Sequence, residues 1–228
     1  MIIKIAIKKG KSGLSEFWDQ HYLTFSEQDS SPFCNDVISK YLKPDDYVIE
    51  IGCGNGRDGL QISRHVNFYE GIDLSEPAVR AANRRFIDAG IPTSRFSIHQ
   101  EDFSLVELSK RDANRIVIYS RFSLHSDTEA SENALLSKLL EHKGNELLVL
   151  VEVRTIFDKL FGVGKPLGRN EFATDHYRRF IDPEELRNKV RQNFEILDYQ
   201  VSNGFAVYKN EDPIVLRITF KNKIKADE

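Results

Sequence analysis

The chain has 228 residues, of which 40% are hydrophobic and 29% charged, and this composition suits one sizeable globular domain. Its formal net charge of −3 argues against a broad basic surface, so we expect no nucleic-acid partner. The first residues, MIIKIAIKKGKSG, lack the long apolar core of a secretory signal or a membrane span, and we expect a cytoplasmic location.

Short apolar runs alternate with helical patterns along the chain. A short strand is predicted at Ile2–Lys8, followed by helices at Leu14–Leu23 and Cys34–Leu42. Five more strands are then predicted: Tyr47–Ile51, Phe68–Ile72, Arg95–Ile98, Arg115–Tyr119 and Leu147–Val153. The helices between them are Arg57–Arg64, Pro77–Ala89 and Ser131–His142. Strands that recur with helices between them predict an α/β fold, with a parallel sheet and helices on both faces.

The C-terminal part has a different pattern. A helix is predicted to begin at DPEEL, from Asp182, and the stretches FEILDYQV, NGFAVY and PIVLRITFK follow it. These stretches predict a β-hairpin, which adds antiparallel strands to the sheet.

Metal and disulfide chemistry are not indicated. No cluster has convincing metal-ligand spacing, and the two cysteines, Cys34 and Cys53, are too few for a disulfide framework. We expect both thiols to be reduced and buried.

Three glycines, Gly52, Gly54 and Gly56, follow the strand Tyr47–Ile51 within VIEIGCGNGRDG. Ligands of parallel sheets bind at the carboxyl ends of the strands, so this turn is a candidate ligand site. Two of these glycines and Gly59 also match the dinucleotide pattern G-x-G-x-x-G, but the strand ends too early and puts Gly59 inside the next helix. The glycines alone therefore do not identify the ligand.

Acidic residues follow the next two strands. Asp73 in YEGIDLS can accept hydrogen bonds from both ribose hydroxyls of an adenosine, and Asp102 in SIHQEDF can accept one from an adenine amine. Either carboxylate can instead cap the helical segment that follows it. Three successive strands with such a group at one edge favour a nucleoside site, and the spacing of Asp73 suits a nicotinamide cofactor as well.

The stretches VIEIGCGNGRD, GIDLS and QEDF resemble the first three motifs of the class I S-adenosylmethionine (SAM)-dependent methyltransferases. The resemblance extends from about Trp18 to the C-terminal strands. It implies a Rossmann-like fold, with a mostly parallel seven-stranded sheet that ends in a C-terminal antiparallel hairpin. It also implies that the protein is an enzyme with SAM as its cofactor.

In that family the glycine turn lies under the methionine part of SAM, and the acids after the second and third strands hold the ribose and the adenine. The resemblance implies a cofactor site formed by Gly52, Gly54, Gly56, Asp73, Leu74, Asp102, Phe103 and Tyr119. Related enzymes cover the cofactor with an N-terminal aromatic segment, which implies Trp18 and Tyr22 here, although FWDQHY fits ordinary helix packing as well. The implied organisation is a capping segment, 1–40, and one methyltransferase domain, 41–228.

The fourth predicted strand ends in VIYSRFSLH, which brings Tyr119 and Arg121 to the same edge of the sheet. His125 lies one turn further along and can act as a general base for a hydroxyl acceptor, because the ordinary pKa of histidine is near working pH. A structural histidine fits this position equally well.

The segment 155–181 follows the fifth strand and is long, basic and aromatic, with several glycines. Its length favours a substrate-binding lid over a tight connection. The residues expected to converge on the acceptor are Tyr119, Arg121, Arg154, His176 and either Arg178 or Arg179. Arginine suits a phosphate or a carboxylate, so we expect an anionic acceptor. The other interpretation is a set of solvated loop charges paired with nearby acids.

These features predict a methyltransferase that modifies an oxygen of a small or glycan-linked acceptor. GCGNGRD, YSRFSLH and DHYRRF resemble a bacterial subgroup associated with the modification of cell-surface glycans or other small molecules. An acid oxygen needs no base, whereas a sugar hydroxyl needs one, for which His125 is the candidate. Two other functions stay open: an NAD-dependent dehydrogenase and a non-catalytic SAM-binding module.

Overall fold

The structure, a computed structural model, describes residues 11–24, 29–108, 113–143 and 145–223. The strand predicted at Ile2–Lys8 lies outside these ranges.

The helices and strands follow the predicted order. The helices are α1 (Lys11–Thr24), α2 (Pro32–Lys40), α3 (Arg57–Ser63), α4 (Glu76–Asp88), α5 (Glu129–Glu141) and α6 (Pro183–Arg191). The strands are β1 (Tyr47–Ile51), β2 (Phe68–Asp73), β3 (Phe96–Gln100), β4 (Arg115–Arg121), β5 (Glu146–Arg154), β6 (Lys165–Gly168), β7 (Glu171–Ala173), β8 (Tyr177–Arg179), β9 (Phe194–Ser202) and β10 (Val215–Asn222). From β1 to β5, each predicted end lies within two residues of the observed one.

Seven strands form one sheet in the order β3-β2-β1-β4-β5-β10-β9. The pairs among β1 to β5 are parallel, and β10 is antiparallel to both β5 and β9. This confirms the predicted Rossmann-like sheet with its C-terminal antiparallel hairpin. The strand order reverses between β1 and β4, and such a reversal opens a crevice at the carboxyl ends of the strands.

The register of the strands places the candidate residues at one level. Ile51, the last residue of β1, pairs with Ile72 in β2 and with Ser120 in β4. The glycine turn therefore begins beside Asp73 and Arg121, each of which is one residue further along its strand.

Both faces of the central strands are buried, as expected for parallel strands between two helical layers. Side chains alternate along β1, so that Ile49 and Ile51 enter one core cluster and Val48 enters the other. Ile118 and Tyr119 divide between the same two clusters in β4. This core fixes the strand ends that carry the site.

Two predicted segments have a different structure. The segment 155–181 is not simply a loop, because β6, β7 and β8 form a small antiparallel sheet within it. These strands have only three or four residues, too few to show an alternating pattern. The stretch NGFAVY is not a strand: it lies in the connection between β9 and β10, where the φ of Gly204 is +79° and its N–H donates to Asp212 at 2.6 Å.

Within the described ranges, no helix is long and apolar enough to cross a membrane. Cys34 and Cys53 are free and buried, as predicted. No group of His, Cys, Asp or Glu among the described residues could hold a metal ion.

Candidate active site

A cavity of about 260 Å3 lies at the carboxyl ends of β1 to β4 and under α1. Its walls come from the glycine turn, from the residues just after β2 and β3, and from the end of β4 with the segment after it. Trp18, His21 and Tyr22 of α1 line it from above. This is the crevice at which the strand order reverses.

The three glycines of the turn have different neighbours, and each lets another part of the protein lie close to the main chain. Gly52, Gly54 and Gly56 have φ of +69°, +54° and +73°, a region that side chains with a Cβ rarely adopt. A Cβ on Gly52 would overlap the Ser123 hydroxyl, and a Cβ on Gly54 would overlap the Tyr22 hydroxyl. Gly52 and Gly54 line the cavity, whereas Gly56 packs against α4 and begins α3.

Asp73 lies at the end of β2 with both carboxylate oxygens bound to backbone groups. Oδ2 accepts from the N–H of Gly54 and Oδ1 from the N–H of Ser75, each at 2.8 Å. Burial raises the pKa of this carboxyl above its usual value, and the backbone hydrogen bonds oppose the shift. Because a carboxylate has about four acceptor positions, each oxygen of Asp73 can accept a further hydrogen bond.

The residues after β3 divide between two roles. Asp102 caps a short helical turn, in which Oδ1 accepts from the N–H and the hydroxyl of Ser104 at 2.9 and 2.7 Å. Its neighbours Glu101 and Phe103 line the cavity, as does Leu74 after β2. The capping role left open for Asp102 is therefore present, and the sequence did not single out Glu101.

Two buried carboxylates lie behind the glycine turn. Asp58 accepts from the N–H and the hydroxyl of Ser31 at 2.6 and 2.7 Å and from the Tyr119 hydroxyl at 2.8 Å. Glu50 accepts from the Tyr69 hydroxyl at 2.6 Å, and its pKa is raised well above its usual value by burial and by the nearby Asp58. Tyr119, predicted to contact both cofactor and acceptor, is fully buried and does not line the cavity.

The end of β4 provides a guanidinium and an aromatic ring. Arg121 lines the cavity, and its Nε donates to Glu152 at 2.9 Å. Glu152 is fully buried and also accepts from Arg217 at 2.7 Å. The next residue, Phe122, has φ of +60°, a strained value for a residue with a side chain, and its ring lies 4.4 Å from the Arg121 guanidinium carbon.

His125 lies behind Phe122, with ring centroids 5.1 Å apart, and is not among the residues that line the cavity. Its Nδ1 accepts from the backbone N–H of Arg154 at 3.3 Å. Burial lowers the pKa of His125 well below its usual value, and the nearby arginines, chiefly Arg154, lower it further. This placement favours the structural role over the general base.

Three other residues predicted to converge on the acceptor have partners elsewhere. Arg154 pairs with Asp158 and Glu211, and Arg179 pairs with Glu132 at 2.7 Å. His176 stacks on the Phe17 ring of α1 at 4.3 Å and is 5.5 Å from the Trp18 ring. Arg154 and Arg179 therefore lie near His125 and the small sheet. Of the residues predicted to contact the acceptor, only Arg121 lines the cavity.

The small sheet and α1 meet at these aromatic rings. Burial lowers the pKa of His176 to about 4, so the imidazole is neutral at pH 7 and packs as an aromatic ring. Trp18 and Tyr22, 6.1 Å apart between ring centroids, extend the contact to the cavity. α1 thus forms one side of the cavity.

The charge of the cavity wall is acidic among the described residues. The lining carboxyl groups are Glu50, Asp58, Asp73, Glu101 and Asp127, and the lining guanidiniums are Arg57 and Arg121. Burial favours the neutral form of Glu50, but the acidic groups outnumber the guanidiniums without it. An excess of carboxylates favours a ligand that carries positive charge over one that carries a pyrophosphate.

Comparisons with known proteins agree with this architecture. Residues 48–144 match a family described as a methyltransferase domain. An mRNA cap guanine-N(7) methyltransferase of Eremothecium gossypii is 38% identical over 53 residues, 23% of this chain and 12% of that protein. A Lactobacillus johnsonii protein, an uncharacterized RNA methyltransferase, is 32% identical over 78 residues, 34% of this chain and 17% of that protein. The chain thus spans less than a fifth of the length of these curated relatives.

Solved structures match almost the whole chain. A SAM-dependent methyltransferase from Methanosarcina mazei has a TM-score of 0.64 and 18% identity, over 87% of this chain and 100% of that one. The N-methyltransferase NodS from Bradyrhizobium japonicum, in complex with S-adenosylhomocysteine (SAH), has a TM-score of 0.62 and 15% identity, over 92% and 98%.

The sheet order and these matches show the fold: the chain has the Rossmann-like fold that these SAM-dependent methyltransferases share. The family match, residues 48–144, extends from β1 to just beyond α5 and covers less than half of the chain.

Proposed function

We propose that the protein is a SAM-dependent methyltransferase that modifies an oxygen of a small anionic or glycan-linked acceptor. The observation that carries the proposal is the acidic cavity over the glycine turn, with Asp73 at one end and Arg121 at the other. An adenosine with a cationic amino-acid tail suits the charge of this cavity.

The residues present fit SAM better than a dinucleotide. SAM carries a sulfonium and an ammonium group, which suit a wall rich in carboxylates, whereas NAD carries a pyrophosphate that needs backbone donors at a helix N-terminus. Here the carboxylate of Asp58 lies in the first turn of α3 and is 2% exposed. A pyrophosphate at that position would meet a buried negative charge, so the dehydrogenase interpretation is disfavoured.

SAM would supply an electrophilic methyl group, and the protein would supply alignment. Methyl transfer from a sulfonium disperses an existing charge, so the orientation of the acceptor accounts for most of the rate. Asp73 would hold the ribose with its remaining acceptor positions, while the rings of Trp18 and Tyr22 would cover the nucleoside and exclude water. These roles leave the β4 side of the cavity for the acceptor.

Arg121 is the residue that favours an anionic acceptor. Its Nε is bound by Glu152, and among the described residues no hydrogen-bond partner binds its two Nη groups. A guanidinium held on one side presents its free N–H groups in a fixed direction, which suits a carboxylate or a phosphate. The names of some relatives point to RNA as an acceptor, but the net charge of −3 favours a small molecule here.

Isothermal titration calorimetry tests the proposal with SAM, SAH and NAD. We expect SAM and SAH to bind with micromolar affinity and NAD not to bind. Asp73→Asn should weaken SAM binding about 10- to 100-fold, because charged hydrogen bonds to the ribose are each worth about 1.5–3 kcal/mol. Asp102→Asn, which keeps the Oδ1 that caps the turn, is the matched control and should change the affinity less than threefold.

Three results would contradict the proposal. Binding of NAD without SAM would support the dehydrogenase, and equal affinities in wild type and Asp73→Asn would remove Asp73 from the site. SAM binding without methyl transfer to any acceptor would support the non-catalytic binding module.

A further inference from the structure

We infer that Asp127 is the catalytic residue that takes the proton from the acceptor, and that the acceptor is a hydroxyl compound with an anionic group elsewhere in the molecule. The inference rests on the proposed function and decides between its two acceptor types, an acid oxygen and a hydroxyl. Asp127 is not among the candidates that the sequence patterns indicate.

Only one of the two carboxylate oxygens of Asp127 has a hydrogen-bond donor among the described residues. The residue lines the cavity and is 4% exposed. Its Oδ1 accepts from the N–H of Thr128 at 2.6 Å and from the hydroxyl of Ser131 at 2.9 Å. Its Oδ2 is buried and has no hydrogen-bond partner among the described residues. A buried carboxylate oxygen without a donor is costly, so this atom is suited to a donor that arrives with a ligand.

Asp127 is held in place from two directions. It precedes Thr128, the N-cap of α5, where a negative charge is favourable. Arg179 of the small sheet donates to the backbone oxygens of Asp127 and Leu124 at 3.3 and 3.2 Å, and Glu132 fixes the guanidinium. Arg179 is thus a positioning residue for the segment that carries Asp127, which gives this predicted acceptor residue a different role.

The location of Asp127 favours the acceptor over the nucleoside. Sheet order separates the cavity into a side with β2 and β3, where Asp73 and Phe103 lie, and a side with β4. Asp127 follows β4, as does Ser123, whose hydroxyl donates to the carbonyl of Ile51 at 2.6 Å beside the glycine turn. A methyl donor held over the glycine turn would lie between these two sides, which puts Asp127 on the side left for the acceptor.

Methyl transfer to a hydroxyl releases the hydroxyl proton, so a nearby group must accept it. The acceptor oxygen forms a bond to the methyl carbon as the carbon–sulfur bond breaks, and that electron pair returns sulfur to a neutral thioether. The hydroxyl proton becomes strongly acidic as the new bond forms, and Oδ2 of Asp127 receives it. A carboxylate base is sufficient for this step because the oxygen loses its proton only after methylation has begun.

Arg121 and Asp127 together define the acceptor class. The guanidinium binds an anionic group, and the carboxylate accepts a hydrogen bond from a hydroxyl on the same molecule. An acid oxygen would instead carry negative charge to Oδ2, which would be repulsive. The preferred acceptor is therefore a hydroxy acid or a sugar phosphate that reacts through its hydroxyl.

A methyl-transfer assay with radiolabelled SAM tests the inference on the full chain. The probes are glycerol 3-phosphate and glycolate, with phosphoethanolamine, inorganic phosphate and glycerol for comparison. We expect methylation of a probe that has both a hydroxyl and an anion. Asp127→Asn should lower kcat about 100-fold or more, the size of a general-base effect, while the Kd for SAM stays within threefold.

Asp182→Asn is the control, because Asp182 is likewise an aspartate at a helix start, the N-cap of α6 with Oδ1 bound to the N–H of Glu184 at 3.0 Å, and does not line the cavity. It should leave kcat unchanged. Arg121→Met should raise the KM for the anionic probe about tenfold or more with a smaller change in kcat.

Several results would overturn the inference. They are a kcat of Asp127→Asn within twofold of wild type, a loss of SAM affinity in Asp127→Asn as large as its loss of kcat, and methylation confined to phosphate, to the amine or to none of the probes. If SAM itself does not bind to the wild type, the proposed function fails and not this inference alone.

Discussion

The hydroxyl of Tyr119 donates to Oδ2 of Asp58 at 2.8 Å and links the middle of β4 to the first turn of α3. The same carboxylate receives two hydrogen bonds from Ser31, the N-cap of α2. One buried carboxylate thus connects three elements behind the glycine turn, which keeps the turn in place and gives Asp58 a structural role.

Tyr119→Phe is expected to affect stability and not cofactor binding. Removal of a buried hydrogen bond to a charged group should lower the free energy of unfolding by about 2 kcal/mol, measured by urea denaturation. The Kd for SAM should stay within threefold, because Tyr119 does not line the cavity. A variant with wild-type stability and weak SAM binding would instead assign Tyr119 to the cofactor site.

Gly54→Ala and Gly90→Ala together test whether an alanine in the glycine turn acts through backbone strain or through a clash with Tyr22. Both glycines have positive φ, +54° and +74°, so each alanine should cost about 1–2 kcal/mol of stability. Only Gly54 faces a neighbour, the Tyr22 hydroxyl, whereas nothing lies within 4 Å of a Cβ on Gly90. Gly54→Ala should therefore displace Tyr22 and weaken SAM binding at least tenfold, while Gly90→Ala should not. Equal SAM affinities in the two variants would contradict this account of the turn.

Glu50→Gln is expected to stabilise the protein at neutral and alkaline pH. Burial and the nearby Asp58 raise the pKa of Glu50, so the folded state binds this proton more tightly than the unfolded chain does. Wild-type stability should then fall as pH rises above the ordinary value of 4.5, and the glutamine variant should lack this loss. At pH 8 the variant should be more stable than wild type by about 1 kcal/mol or more, and below pH 4.5 the two should differ little.

The control for this comparison is Glu70→Gln. Glu70 is equally buried, accepts from the Tyr47 hydroxyl at 2.7 Å and lies 3.6 Å from the His99 Nε2. A similar gain in both variants would mean that the repulsion from Asp58 is not the cause.

His125→Asn is expected to reduce the acid sensitivity of folding. Because burial lowers the pKa of His125, the unfolded chain binds this proton and the folded state does not, so wild-type stability falls as pH drops below 6.5. Asparagine can keep an acceptor for the Arg154 N–H and removes the titration. Between pH 7 and pH 5, the variant should lose about 1–2 kcal/mol less than wild type.

His65→Asn is the control, because His65 is exposed. The same pH dependence in His125→Asn and wild type would show that the His125 ring is not a buried neutral group.

The parallel sheet was predictable because β1, YVIEI, and β4, RIVIYSR, are mostly apolar and each is followed by a helix pattern. Gly52, Gly54 and Asp73 were predictable as cavity residues because they follow predicted strands at one edge of the sheet. Asp102 and Glu101 are neighbours, and the pattern alone does not show which side chain faces the cavity.

The acceptor side was less predictable because it depends on which acids pair with which arginines. Arg179 forms an ion pair with Glu132 of α5, and Arg154 forms one with Glu211 in the connection before β10. Both pairs join residues that are distant in sequence. Asp127 was missed because HSDTEAS reads as an ordinary helix start, and only the structure shows that one of its oxygens lacks a donor.

A crystal structure of the protein grown with SAH tests the central claim most directly. We expect the amino-acid part of SAH over Gly52 and Gly54, with the ribose hydroxyls within hydrogen-bond distance of the Asp73 carboxylate and the sulfur on the β4 side near Phe122. SAH bound elsewhere, or bound in this cavity with its ribose away from Asp73, would contradict the account.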